Sequence, residues 1–123
     1  MKSKKARLKS NLDKVFSLYI RTKANFTCEW CGKSGSQVHC HHGVVHRRYI
    51  RTRFEEGNCA CVCVGCHEFL GAFPNINTDF FKKRIGVDRI EQLERTARLT
   101  DKSSEPDLQE KLEYFKKKLE ELE

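Results

Sequence analysis

Two Cys-x2-Cys pairs, Cys28/Cys31 and Cys63/Cys66, carry the plainest chemistry in the chain. Thiolates at that spacing let the backbone wrap one soft cation, and four of them make the closed tetrahedron of a structural zinc site. A saturated shell has no position for substrate, so this Zn2+ is expected to staple the fold and take no part in a reaction. Gly32, just after the first pair, suits the tight turn of a zinc knuckle. The interval from Cys31 to Cys63 is longer than a simple ribbon needs, so it must hold a hairpin. Cys40, Cys59 and Cys61 read as ordinary buried thiols. Trp30 and Phe26 are expected to cover the knuckle rather than stack on bases.

The same interval carries His41-His42 and Asn58, and His67 follows the last cysteine directly. Imidazole binds divalent metals and also exchanges a proton near neutral pH. Neighbouring strand residues point to opposite faces, so His41 and His42 cannot both reach one phosphate from a regular strand. Either Gly43 ends the strand and lets His42 turn inward, or only one of the two acts. His39 shares a face with His41 and is a spare candidate.

A small α+β arrangement must hold these residues. Leu12, Val15, Phe16, Tyr19 and Ile20 fall at helical spacing, which predicts a helix over 11–23 with Asn11 as N-cap. Residues 1–10 read as a basic, flexible start. A strand over 38–42 and an apolar one over 59–63 are expected to pair antiparallel, joined by a long Arg-rich loop. A helix is predicted to begin near His67 and to end at Pro74. Two more follow: 78–85, stopped by Gly86, and one from an Asp88-x-x-Glu91 capping box to about Leu99. Residues 11–99 thus form one domain. Ser104-Glu-Pro106-Asp107 opens a last amphipathic helix over 104–123. Its coiled-coil-like stripe of Leu108, Leu112, Phe115, Leu119 and Leu122 either folds back on the domain or forms the seam of a homodimer.

The chain has 123 residues, 33% of them charged, and seven cysteines. So small a core favours a metal staple. The Met-Lys-Ser-Lys-Lys start has no apolar signal run, so a reducing cytoplasmic setting is expected, where paired cysteines favour metal over disulfide. No stretch approaches the roughly 20 apolar residues that cross a bilayer, and no membrane role is expected. Charge is uneven: residues 1–53 carry 13 Lys/Arg against Asp13 and Glu29, a net +11, and the rest of the chain nets −4. A basic half of that strength points to a polyanion such as DNA. Arg47, Arg48, Tyr49, Arg51 and Arg53 in the loop are candidate DNA contacts, as are Lys14, Arg21 and Lys23 on the first helix. Guanidinium groups grip phosphates bidentately, which sets position more than sequence preference.

The order of these residues resembles the ββα-metal arrangement of the HNH nucleases. A double histidine lies between the knuckles, Asn58 stands shortly before Cys63, and His67 follows Cys66. A closer likeness runs along most of the chain. Tyr19-Ile20-Arg21 precedes the first cysteine pair, and Arg53-Phe54 stands at the matching distance after His42. Asn58, the second pair, Arg84-Ile85-Gly86 and a closing Leu/Lys/Glu helix follow in order. In this the sequence resembles the NinG/Rap recombination endonucleases of lambdoid phages. The resemblance implies a zinc-stapled ββα-metal core and a nuclease of branched, recombination-junction DNA. For a phage-encoded protein it implies the host cytoplasm. Two positions depart from the family pattern: His67 stands where Asn is usual, and His41 where Gly is usual. Imidazole at 67 moves metal preference toward zinc or nickel.

On that likeness His42 is the general base that activates water. His41 and His67 hold a catalytic divalent cation at the scissile phosphate, Mg2+ or Mn2+, with Ni2+ or Zn2+ as further candidates. Asn58 either pins the loop and orients His42 or is a turn-forming Asn beside Gly57. The expected activity is metal-dependent hydrolysis of DNA phosphodiesters. Two other readings fit the same residues: a non-catalytic zinc-ribbon DNA-binding module, and an HNH nicking enzyme without junction preference.

Overall fold

The structure, a computed structural model, describes residues 2–35 and 37–123. Among these residues the chain forms six α-helices and one two-stranded antiparallel sheet. The first helix, α1, spans Lys4–Lys23, so it starts well before Asn11. Two features account for the earlier start. The Ser3 side chain caps it by accepting from the Ala6 N–H at 3.1 Å, and Leu8 adds a buried turn ahead of Leu12, Phe16, Tyr19 and Ile20. The basic start is therefore helical from Lys4, and Met1 lies outside the described residues.

The last helix, α6, spans Glu105–Glu121 and opens with a reciprocal Ser104/Asp107 capping box. It lies along α1. Lys4 pairs with Glu105 at one end, and Phe115 meets Phe16 and Tyr19 further along, so the two helices run side by side in the same direction. Leu108, Leu112 and Phe115 are buried in the same cluster as Leu8, Leu12 and Phe16, each worth on the order of 2 kcal/mol of burial. The amphipathic stripe is thus filled by the chain itself, and Leu122 at its end stays 44% exposed.

Strands β1 (Val38–His42) and β2 (Cys59–Cys63) pair in the expected antiparallel hairpin, with His42 opposite Cys59 and Cys40 opposite Cys61. One face, with Val38, Cys40, His42, Cys59 and Cys61, turns toward α1. The other, with His39, His41, Ala60 and Val62, turns toward the helices after β2, where Leu70 and Phe81 are buried. The long loop is organised by α2 (Ile50–Arg53) and a 3-10 turn over Glu56–Asn58.

Three helices complete the domain: α3 (Val64–Ala72), α4 (Pro74–Ile85) and α5 (Val87–Ala97). Each begins earlier than its apolar spacing implied. Cys63 caps α3, its sulfur accepting from the Cys66 N–H, which draws the start back from His67 to Val64. Pro74 opens α4 instead of merely ending α3, because its missing N–H is one that a first turn leaves free. Gly86, at φ 84°, closes α4 and leads directly into α5; Asp88 then falls inside the first turn, and no side-chain cap forms. No helix among the described residues is long and apolar enough to cross a membrane.

Candidate functional site

Cys28, Cys31, Cys63 and Cys66 converge with their sulfurs all within 4.8 Å of one another. A tetrahedral zinc with bonds of about 2.3 Å sets its sulfurs about 3.8 Å apart. Cys31 Sγ and Cys63 Sγ stand 3.8 Å apart. The first knuckle closes as expected, with Gly32 at φ 81° donating to the Cys28 carbonyl at 2.8 Å. The second uses a helix N-terminus instead, with Cys63 as cap and Cys66 in the first turn, where the dipole favours thiolates. Burial alone would raise the Cys28 thiol, but the N–H groups of Cys31, Cys63 and Trp30 outweigh it and hold Cys28 down at about 6. Burial and the three neighbouring sulfurs push Cys66 up. A divalent cation removes that conflict, because all four sulfurs then bind as thiolates. The donors, spacing and N–H···S bonds fit a structural zinc. Trp30 packs against Phe69 and Phe80 yet remains 40% exposed, so it only partly covers the knuckle.

The histidines gather in a separate cleft of about 700 Å³ along the open edge of β1, between α1 and α3. His39, His41, His42 and His67 all line it. His39 Nδ1 and His67 Nδ1 approach to 3.1 Å, close to the spacing of about 3.3 Å for two imidazoles on one tetrahedral zinc. The His41 ring lies 5.1 Å from that of His67. His41 Nε2 meets Asn77 Oδ1 at 2.8 Å, and Asn77 Nδ2 donates to the Gly43 carbonyl at 2.7 Å. A Cβ on Gly43 would sit 2.0 Å from the Phe81 ring, so this close approach requires glycine. His39, His41 and His67 do not form a closed three-ligand cluster as the cysteines do. The tightest pair is His39/His67, with His41 beside it.

His42 takes the other face. It does not turn inward at Gly43: its Nε2 meets the Arg53 carbonyl at 2.9 Å, and its ring faces Phe16. Both histidines still reach the cleft, because β1 is a free edge and the cleft wraps around it. Burial holds His41, His42 and His67 below the ordinary imidazole range. Arg47 and Arg53 add to the effect at His42, as His41 and His39 do at His67. Neutral rings have lone pairs to offer a metal or a proton.

Asn58 is fully buried and pins the loop at three points. Its Oδ1 accepts from the Val45 N–H at 2.6 Å, and its Nδ2 donates to the carbonyls of Val45 and Thr52. Its own carbonyl accepts from the Gly43 N–H at 2.9 Å. It therefore ties the end of β1 to α2, whose last residue, Arg53, holds His42.

Among known families, the model described as "NinG: Bacteriophage Lambda NinG protein" matches residues 1–123. The chain belongs to the NinG family. Membership points to a phage function. No curated protein and no solved structure gave a match.

In this NinG-family chain the candidate DNA contacts divide into two groups. Lys14, Arg21 and Arg47 line the histidine cleft, and Arg48 stacks on exposed Tyr49 in the neighbouring loop. Within the cleft Arg47 also pairs with Asp13 at 3.2 Å and Arg21 donates to the Ser17 carbonyl. The three others do not line the cleft and are engaged within the chain. Arg53 grips Asp13, its Nε at 2.8 Å, Arg51 donates to the Thr100 carbonyl, and Lys23 pairs with Glu56. A second cavity, of about 1040 Å³, is lined by Lys23 and Arg51 but by neither histidine nor cysteine. Asp13 and Asn77 escaped the sequence reading, since each acts on a partner distant in the chain with no motif around it. A third omission was legible. Cys40, His42 and Cys59 bring their ligand atoms within 4.8 Å, and strand alternation alone puts Cys40 and His42 on one face.

Proposed function

We propose that this chain is a metal-dependent DNA endonuclease with a zinc-stapled ββα-metal, or HNH, core. One observation carries the reading: His39, His41 and His67 enter a basic cleft from one side of the β1 edge, and His42 enters it from the other. His42 is the general base. Its Nε2–H donates to the Arg53 carbonyl, which orients the ring and leaves the Nδ1 lone pair to take a proton from water. Burial holds its pKa below the ordinary imidazole value, which favours the neutral form that a base needs. His67 and His39, whose Nδ1 atoms stand 3.1 Å apart, with His41 beside them, are the residues that would hold a divalent cation. When bound, that ion supplies charge stabilisation at the scissile phosphate and the leaving 3′ oxygen. Asn58 keeps the loop and α2 in register, so that Arg53 can hold His42. Lys14, Arg21 and Arg47 bind flanking phosphates.

Membership of a phage family supports branched or recombination-junction DNA as the substrate and the host cytoplasm as the place of action. Cleavage of a four-way junction and of a linear duplex of the same sequence, with Mg2+, Mn2+ or Ni2+, tests the nuclease activity and its substrate preference. Junction cleavage in wild type, lost in His42→Ala with DNA binding retained, is the expected result. DNA binding without any cleavage indicates a zinc-ribbon binding module, and equal cutting of both substrates indicates a nicking enzyme without junction preference.

A further inference from the structure

Cys40, His42 and Cys59 are the one group of potential metal ligands among the described residues outside the four-cysteine centre whose ligand atoms all lie within 4.8 Å of one another. They share the β-sheet face turned toward α1. Cys59 is buried, while Cys40 and His42 are half-buried and open to the histidine cleft. We propose that these three residues form a second metal site, selective for a thiophilic ion such as Zn2+, whose occupation silences His42.

Four features argue for a metal here. The first is the His42 tautomer. Its Nε2–H is committed to the Arg53 carbonyl at 2.9 Å, so Nδ1 carries the free lone pair. A metal-binding histidine almost always donates its other ring N–H in this way. The second is charge. Zn2+ with two thiolates is neutral, so a half-buried site closes without a stranded charge. Binding releases the two thiol protons to solvent. The third is the ligand set, because two sulfurs and an imidazole select zinc-like ions over Mg2+ or Mn2+. The fourth counts against a disulfide. Cys40 lies opposite Cys61, so Cys59 is its diagonal neighbour. Diagonal strand positions are about 7–8 Å apart, and a disulfide needs Cα atoms within about 6.8 Å. A metal holds its sulfurs about 3.8 Å apart, and these already lie within 4.8 Å of each other. Three protein ligands would leave a fourth position for water.

The silencing part rests on the nuclease reading. Metal and proton compete for the same Nδ1 lone pair, so a filled site leaves no general base. The metal-binding part stands independently, and the test separates the two. Protein retaining its structural zinc is titrated with Co2+, and near-ultraviolet thiolate-to-cobalt absorption is recorded while a chromophoric chelator confirms that no zinc is displaced. The cleft pair His39/His67 has no sulfur and contributes no such band. Wild type is expected to develop the band, with Cys40→Ser and Cys59→Ala weakening or abolishing it. A wild-type protein that saturates with cobalt and shows no new thiolate band overturns the site. In the second arm, Zn2+ is added to Mn2+-supported DNA cleavage. Losing an outer-shell partner already costs about 10–100-fold in metal affinity. Cys40→Ser should therefore require at least about tenfold more zinc for inhibition than wild type. Equal zinc sensitivity of the two proteins overturns the silencing claim. A cobalt band without any cleavage leaves the site standing and removes the nuclease reading.

Discussion

Asn58 shows how much one buried side chain can hold. Its amide accepts from the Val45 N–H and donates to the carbonyls of Val45 and Thr52, all from a fully buried position. Asn58→Ala should cost about 2–4 kcal/mol of stability, read as a lower denaturant midpoint. A cost under about 0.5 kcal/mol, the range of ordinary surface changes, would mean that the loop does not depend on it. Tyr19 gives a pH signature. Burial, with help from the neighbouring Glu56 carboxylate, pushes its hydroxyl up to about 12, above an unfolded value near 10. The folded pKa is raised, so the stability it contributes is complete below about pH 10 and is lost as pH rises toward 12. Tyr19→Phe should flatten the decline in stability over that window, and an unchanged alkaline limb would contradict the assignment. At this scale the sequence was informative where chemistry repeats locally. Strand alternation correctly set His41 and His42 on opposite faces. It could not reveal that both still reach one cleft, because that depends on β1 being a free edge. Nor could it reveal Asp13 or Asn77, whose partners are distant in the chain.

Among the elements, α6 was the open question. Its stripe was legible, but its partner was not, since a leucine stripe fits α1 or a second copy equally well. In the structure α1 takes it, because Leu8 extends the apolar face of that helix to meet Leu108 and Leu112. Leu112→Ala should therefore lower stability by about 2–5 kcal/mol, independently of protein concentration. A cost that grows on dilution would place the stripe in an interface between chains. The strands and α6 start where expected, whereas the starts of α1, α3 and α5 come earlier for one physical reason. Caps set them, and the caps here are Ser3, Cys63 and Gly86, not the Asn11 and Asp88 favoured by composition.

At the scale of the molecule, the four cysteines join the segment after α1 to the start of α3 and so clamp both ends of the hairpin. The sheet they clamp has only two strands, too few to be stable alone. A structural zinc contributes about 10–16 kcal/mol, comparable to the whole stability of a typical domain at about 5–15 kcal/mol. Chelation of zinc, or Cys31→Ser, should therefore unfold the hairpin and α3, seen as loss of near-ultraviolet dichroism. Retention of that signal in zinc-free protein would show the clamp to be dispensable. The central claim is that the cleft at the β1 edge cuts DNA with His42 as base. The most direct measurement is single-turnover cleavage of a four-way junction by wild type and His42→Ala, with junction binding measured in parallel. At least a hundredfold lower rate in His42→Ala, the lower end of a general base's usual contribution of about 10²–10⁴, with binding unchanged, is the predicted result. Equal rates in the two proteins, or no cleavage by wild type with any divalent metal, would contradict it.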